Sequence, residues 1–427
     1  MDTVQKVPEE LCISCGMCQG VCPLSCIDMI RNKQGQYIPQ INRDICVNCG
    51  KCFSICPGKG INLQEIYKTI YEKEMVDVFH GNYHAVINCA AKDKEVLKKA
   101  TSGGVVTTLV EKLLQDEKYQ IAFLVDTYNY EQQISVKAYQ KGDVFTNTFK
   151  SRYIPVSQAA MVRFCIENPN EKVIIVGTGC IVESFCKLVI ENKLNRKNYF
   201  IIGLFCNSVL NYNSWEYFAR MLKEPLKELR YREKSDSRHY FYGTICLEGN
   251  KGRRKVINPG KKMLVKPYLT MEKCIYCFDR LNVLADISVG DNNTKSGDGS
   301  SCSVIIRTEI GRQIMKHYEA LFDCLDTVLE RVSKSQQIKL VKQQYRFAKV
   351  YSLNKKMDIL CGMNDCGNEK VSTSDLNELD KRLRRHKFGS DIKNLTKLFY
   401  WMQIKWILVE VINYRRKLTK WFKNKIR

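Results

Sequence analysis

Cys12-Ile-Ser-Cys15-Gly-Met-Cys18-Gln-Gly-Val-Cys22-Pro23 returns as Cys46-Val-Asn-Cys49-Gly-Lys-Cys52-Phe-Ser-Ile-Cys56-Pro57, every cysteine displaced by the same 34 positions. Three thiolates on a tight loop can hold three irons of one cubane, while the fourth cysteine, followed by proline, reaches across to the other cluster. The spacing therefore assigns Cys12, Cys15, Cys18 and Cys56 to one 4Fe-4S cluster, and Cys46, Cys49, Cys52 and Cys22 to a second. A pair of zinc sites is the competing reading, but zinc modules usually space their ligands as two separated pairs and rarely use a proline-terminated run. The chain thus opens with groups suited to moving one electron at a time.

The duplicated run resembles the two-cluster ferredoxins of bacteria, with residues 1–66 as that domain and its halves joined by the strand-like Tyr37-Ile-Pro-Gln-Ile41. At 427 residues the chain is too long for this module alone, and domains of about 100–200 residues predict two or three units. Twenty-one cysteines would suggest disulfides in a small secreted protein, yet no apolar signal segment is seen and the first cysteine run already has an iron–sulfur explanation. A reducing, cytoplasmic compartment is expected. The net charge of +23 is concentrated in a tail, where Lys381 to the end carries fifteen Lys/Arg against Asp391 and Glu410. No aromatic-interleaved basic module marks the main body, so nucleic acid is not an expected partner.

From about residue 80 short apolar runs alternate with amphipathic ones. Ala85–Asn88, Ile121–Val125, Lys172–Val176 and Tyr199–Phe205 read as strands, and Val105–Leu114, Gln158–Glu167, Ile181–Glu191 and Ser214–Leu222 as helices. Such alternation predicts an α/β body with at least part of its sheet parallel. A charged helical connector, Glu65 to about Val78, leads into it. Tyr240–Tyr268 reads as strand- and loop-rich, Ala285–Val289 and Ser303–Arg307 as further strands, and a helix begins near Arg312.

Thr101-Ser102-Gly103-Gly104 stands at the entrance of a helix, where free N–H groups suit a phosphate or an electron-rich cofactor edge, or where the glycines serve as an ordinary cap with close packing. Two strands end in a cysteine, Cys180 and Cys206, and ligands gather beyond the carboxyl ends of parallel strands. With Cys274-Ile-Tyr-Cys277 they can complete a four-thiolate site, a third 4Fe-4S cluster; the alternative is that Cys180 and Cys206 are small buried hydrophobes. Ala285-Asp-Ile-Ser-Val-Gly-Asp291 and the following Gly297–Ser303 bound a cofactor pocket or form a solvated loop. Cys26, Cys89, Cys165, Cys186, Cys246, Cys302, Cys324, Cys361 and Cys366 show no partner pattern and read as core or surface thiols.

Ser102-Gly103-Gly104, Lys150-Ser151-Arg152-Tyr153, Gly177-Thr-Gly-Cys180, Phe205-Cys206, Cys274-Ile-Tyr-Cys277-Phe-Asp279, Ala285–Asp291 and Gly299–Thr308 follow the order found in the coenzyme F-420 hydrogenase/dehydrogenase beta-subunit family. The chain resembles that family over roughly residues 1–330. The family includes archaeal subunits that pass hydride to the deazaflavin coenzyme F-420, and it is related to the hydroxymethyl-chlorophyll reductases. The resemblance implies bound FAD lying against Ser102, Gly103 and Gly104, with Lys150, Ser151 and Tyr153 nearby, and a third cluster on Cys180, Cys206, Cys274 and Cys277. It further implies a flavin-binding region over 80–155 and a cluster- and flavin-binding domain over 156–360, while the composition of 361–427 reads as a polar linker with a basic amphipathic tail. Gly179 and Ile181 replace the family's usual proline and glutamine, and Arg152 stands where lysine is common.

The expected architecture is therefore a bacterial-type ferredoxin domain fused to an α/β flavin-binding body, with a C-terminal basic amphipathic helical tail. Electrons from a ferredoxin or other redox donor would pass through the clusters to FAD for a two-electron step on a small or glycan-related substrate, since bacterial family members are often associated with cell-surface polysaccharide synthesis. Tyr153 and Asp291 are the candidate proton donors. Two alternatives stay open: an electron-transfer subunit that serves a partner enzyme, and a membrane-associated scaffold with a decayed flavin pocket. The tail around Leu398–Tyr414 is too short and too charged to span a bilayer. Gln403, Glu410, Asn413, Lys417 and Lys420 share one side, so it reads either as an interfacial helix at the inner face of the membrane or as a helix docked on protein.

Overall fold

The computed structural model describes residues 2–233, 243–294, 300–354, 357–361 and 369–425; Tyr240, Gly297 and Cys366 lie outside them, as do the side chains of Asn413, Lys417 and Lys420. Each cysteine run turns through a left-handed glycine, Gly16 (φ 65°) or Gly50 (φ 80°), into a short helix, Met17–Val21 or Lys51–Ser54. The antiparallel pair β1 (Ile27–Arg31) and β2 (Tyr37–Ile41) lies between the two runs. Asn62 caps the following helix, Leu63–Tyr71, whose end at the left-handed Glu72 falls short of the expected Val78. There the Asn82 side chain takes over the backbone, accepting from Val76 N and donating to Glu74 O.

The remaining strands are β3 (Ala85–Ala91), β4 (Ile121–Leu124), β5 (Lys137–Tyr139), β6 (Val173–Thr178), β7 (Tyr199–Leu204), β8 (Leu226–Glu233), β9 (Thr244–Gly249), β10 (Arg254–Ile257), β11 (Ile287–Asp291), β12 (Cys302–Ile306) and β13 (Phe322–Asp326). Eight form one sheet in the order β13-β3-β12-β11-β7-β6-β4-β5. Its centre, β4, β6, β7 and β11, is parallel, as the alternating pattern predicts. Strands buried on both faces need apolar residues throughout, which β6 and β7 supply. Ile174, Phe200 and Ile202 share one core with Val105, Leu109 and Leu113 of helix Val105–Gln115. Val173, Ile175 and Ile201 pack in the other with Val182 and Phe185 of helix Gly179–Glu191. Because β3 is inserted between β12 and β13, residues 80–155 and 156–360 share one sheet.

A third core sits between the antiparallel sheet β10-β9-β8 and helices Asn213–Ala219 and Pro259–Leu269. The second of these occupies a stretch read as strand and loop; Asn258 caps it and Pro259 takes the first turn, where its missing N–H is harmless. Cys89 and Cys324, read as unpaired thiols, face each other across β3 and β13 and are joined by a disulfide with a Cα separation of 4.3 Å. Their distance of 235 positions hides the pairing from any local pattern.

The region expected to be a polar linker contains a docked helix, Thr373–Ser390, that begins at a Ser372/Asp375 capping box. Arg346 holds Asp375 through Nε at 2.9 Å and a second guanidinium nitrogen at 3.1 Å, and His386 Nδ1 lies 2.8 Å from Thr270 O. Helix Leu395–Lys425 then presses Leu395, Leu398 and Met402 into the third core. Its Ile404, Ile407, Leu408, Val411 and Ile412 are exposed. Among the described residues no helix is long and apolar enough to cross a membrane. Asp375 is almost fully buried, so removing its carboxylate uncaps the helix start and leaves Arg346 with Glu369 alone. D375A is expected to cost about 2–4 kcal/mol, read by urea unfolding against the wild type, with D375N intermediate.

Candidate iron–sulfur and cofactor site

The first cysteine cage is a cavity of about 210 Å³ lined by Cys12, Cys15, Cys18 and Cys56 among Val4, Ile13, Met29 and Pro57. The second, tighter at about 20 Å³, is lined by Cys22, Cys46, Cys49 and Cys52. The fourth cysteine of each run thus faces the other run's three, the crossing that the spacing predicts. Gly58 N donates to Cys56 Sγ at 3.3 Å and Val4 N to Cys52 Sγ at 3.4 Å, bonds that favour thiolates. Burial pushes the Cys12 thiol up to about 12, and the charges of Cys56 and Glu9 add to it. Four thiols packed this way ionise together only around compensating positive charge. Four soft sulfur donors around one point are the donor set a cubane takes. Among the described residues no three of His, Cys, Asp or Glu converge tightly enough for a single metal ion.

Cys26, not singled out by its sequence, also lines the second cage, with its Sγ 3.4 Å from that of Cys22. The repeat gave no signal for it, because the matching position 34 residues on is Gly60.

The body brings Cys180, Cys206, Cys274 and Cys277 together. Cys180 is in the first turn of helix Gly179–Glu191, directly after β6; Cys206 lies just past β7; Cys274 is in the turn Glu272–Ile275, with Cys277 close behind. Burial raises the Cys206 thiol well above its ordinary value, and Cys274, Cys180 and Cys277 then act on it as like charges. Cys206 N donates to Arg280 O at 3.0 Å, and Thr178 Oγ1 is 3.3 Å from Cys180 Sγ. Gly179 is explained by its neighbour: a Cβ there would come within 2.6 Å of Asp279 Oδ2. Asp279 itself is raised to about 6, chiefly by burial.

The residues expected against the flavin fall along one connected strip. Ser102 Oγ donates to Ser301 O at 2.6 Å, and Gly103 N lies 3.2 Å from Cys302 Sγ. Backbone of β3 and β12 fills the space that a side chain at 103 would need, and Val96 fills that at 104. The glycine pair is therefore accounted for by packing. Ser151 N donates to Thr101 Oγ1 at 2.9 Å, and Lys150 pairs with Glu233 at 3.2 Å. Cys302 lies opposite Asp291, whose carboxylate binds Arg232 at 2.6 Å; the same guanidinium reaches Tyr153 Oη at 3.5 Å. Tyr153, Arg232 and Asp291 open onto a cavity of about 140 Å³ shared with Lys262, Lys266 and Asn293. Of the expected flavin contacts, only Tyr153 lines it. Asp286, in the same stretch, is structural: it is buried and binds Arg196 at 2.9 Å, Ile201 N at 2.8 Å and Thr308 Oγ1 at 2.7 Å.

The three cages and this cavity follow one another. Cys52 of the second is close enough to act on Cys18 of the first, Cys180 of the third on Cys15 of the first, and Cys206 of the third on Tyr153. Helix Gly179–Glu191 spans the first and third cages, since Cys180 opens it while Ser184 Oγ donates to Ile55 O at 2.7 Å and Lys187 Nζ to Gly60 O at 2.8 Å.

Residues 11–60 match the 4Fe-4S dicluster domain, residues 86–162 the N-terminal part of the coenzyme F420 hydrogenase/dehydrogenase beta subunit, and residues 170–321 its C terminus. The chain is 24% identical over 247 residues to the coenzyme F420 hydrogenase subunit beta of Methanosarcina barkeri, covering 56% of this chain and 79% of that one. It is 27% identical over 243 residues to the coenzyme F420 hydrogenase subunit beta of Methanococcus voltae, covering 54% and 79%. Its fold is similar, at a TM-score of 0.51 and 18% identity over 66% of this chain and 96% of the other, to a chain of the xenon-derivatised F420-reducing nickel–iron hydrogenase complex from Methanosarcina barkeri. With its cysteine-rich amino-terminal segment and cysteine-bearing α/β body, the chain belongs to the coenzyme F420 hydrogenase/dehydrogenase beta-subunit family and carries a 4Fe-4S dicluster domain.

Proposed function

We propose that the chain is an iron–sulfur flavoprotein oxidoreductase that exchanges single electrons with a ferredoxin-like donor and performs a two-electron reduction or oxidation at the Tyr153 cavity. The observation that carries this reading is the gathering of the duplicated cysteines around two cavities, with helix Gly179–Glu191 tying the loop after Cys56 to Cys180. Cys12, Cys15, Cys18 and Cys56, then Cys22, Cys46, Cys49 and Cys52, and then Cys180, Cys206, Cys274 and Cys277 are the ligand sets. Bound cubanes supply one-electron steps and FAD supplies the conversion to two. The second cage is the entry: Cys49 is exposed, and Leu24, Ile45 and Val47 around it are exposed apolar residues on which a donor can dock. At the far end, Tyr153 and the Arg232–Asp291 pair border the cavity where a proton would be held.

Anaerobically purified chain is expected to contain about twelve irons and one FAD. C206S is expected to lose about four of those irons while the paired-cluster signal in electron paramagnetic resonance stays. About eight irons and no flavin in the wild type would remove both the third cluster and the two-electron chemistry. An electron-transfer subunit without a substrate of its own is the second reading, favoured by the exposed apolar rim at Cys49. It predicts that reduced viologen is oxidised only when a partner enzyme is added.

For the tail, the exposed apolar row Ile404, Ile407, Leu408 and Val411, followed in sequence by Arg415, Arg416 and Lys417, supports contact with an anionic membrane surface. The protein should then co-sediment with phosphatidylglycerol vesicles and not with phosphatidylcholine. L408E should abolish this, and equal recovery of L408E and wild type with the vesicles would rule lipid contact out.

A further inference from the structure

The cavity beside Tyr153 holds more positive charge than its surroundings balance. Lys262 and Lys266 stand one turn apart on helix Pro259–Leu269 and both line it with Arg232, while among the described residues Asp291 is the one carboxylate in the lining. That carboxylate is engaged by Arg232 at 2.6 Å. Lys262 is buried, its ammonium 3.5 Å from Tyr231 O and 4.5 Å from the centre of the Tyr153 ring. Among the described residues Lys262 forms no ion pair, whereas Lys266 faces Cys206 and Cys274, whose thiolates would answer its charge. Burying an ammonium without a counter-charge is costly, and folded proteins keep such an arrangement where a ligand brings the missing charge. The strain is visible on Lys262, brought down to about 7 by burial and then by Arg232 and Lys266.

We propose that this cavity is a binding site for an oxyanion, the phosphate or carboxylate group of an organic ligand, held between Lys262, Lys266 and Arg232. Lysine ammoniums act as point charges toward such groups and a guanidinium offers paired donors, so together they suit several oxygens on one centre. A volume of about 140 Å³ admits such a group and little more, so the rest of the ligand extends outward from it. The site deepens the reading given above, because a molecule anchored here lies against Tyr153 and near Cys206, where the redox succession ends. Two sources share this chemistry: the substrate's own anionic group and the phosphates of the flavin.

The test uses the full chain and inorganic pyrophosphate in isothermal titration calorimetry, with released flavin measured on the same samples. Wild type is expected to show saturable binding, weakened about tenfold or more by K262M and by K266M. K262R, which keeps the charge, should retain most of it. K261M alters a lysine that lies over Trp406 outside the cavity and should bind as wild type does. Unchanged thermal midpoints in the methionine variants exclude misfolding as the cause. Weakened binding with flavin retained assigns the site to a substrate, and weakened binding with flavin lost assigns it to the cofactor's phosphates. Absence of saturable binding by wild type with flavin retained in K262M and K266M, or equal binding by K262M, K266M and wild type, overturns the proposal. Wild type that binds pyrophosphate but contains no flavin would instead sink the flavoprotein reading and leave the oxyanion site standing.

Discussion

Everything that makes the molecule a single redox unit depends on how helix Gly179–Glu191 grips the loop around Cys56. Glu183 and Lys187 form a buried ion pair at 2.5 Å, and the same ammonium donates to Gly60 O at 2.8 Å and lies 3.5 Å from Cys56 O. A buried pair of charges returns little net stability once desolvation is counted, but it is unforgiving of misplacement. Lys187 is satisfied only when the carbonyls of the cysteine loop stand where they do. Because Cys180 opens the same helix, that requirement also fixes the third cage against the first. The electrostatic match sets geometry, and the apolar contacts of Phe185, Val182 and Ile55 in the shared core supply the adhesion.

How much of this was legible follows from the length scale of each signal. The first two cages are written in a run of eleven residues and its copy, because a cubane needs three thiolates on one tight loop. The third cage is spread over Cys180, Cys206 and the Cys274/Cys277 pair. The rule that ligands collect at the carboxyl ends of parallel strands, the spacing of Cys274 and Cys277, and the family resemblance brought these together in advance, and β6, β7 and β11 are parallel neighbours. The α/β alternation was equally readable, since β6 and β7 must be apolar on both faces.

Other features had no local signature. Helix Thr373–Ser390 follows a turn-rich stretch and is mostly polar, so composition suggested a linker; what holds it is the side-chain geometry of Arg346 and Asp375 and the packing of Gly389 against Tyr268, where a Cβ has no room. Lys262 and Lys266 were two lysines in a basic chain until the structure placed them in one cavity with Arg232. The Ser102-Gly103-Gly104 motif shows the converse. It was prominent in the sequence, yet its glycines are needed for close approach to β3 and β12, and the open space lies at Tyr153, Arg232 and Asp291 instead.

The places where the duplication breaks reveal the orientation of the amino-terminal segment. Gly16 and Gly50 match, because both turns need a positive φ. Gly20, in contrast, corresponds to Ser54. A Cβ at Gly20 would meet Ala159 O at 2.6 Å and Val162 Cβ at 2.7 Å, so the first half lies flat on helix Ala159–Glu167, whereas Ser54 is free to carry a side chain. Gln158 N donating to Cys15 O at 2.8 Å belongs to the same contact. Cys26 and its counterpart Gly60 differ for a related reason. Cys26 turns toward the cage near the surface, while at Gly60 the room is taken by the backbone of Asp358 and Ile359 and by the Cys361 sulfur. One half of the repeat is thus pinned to the body through its first run and the other through the loop after Cys56. The face that carries the exposed Cys49 takes part in neither contact.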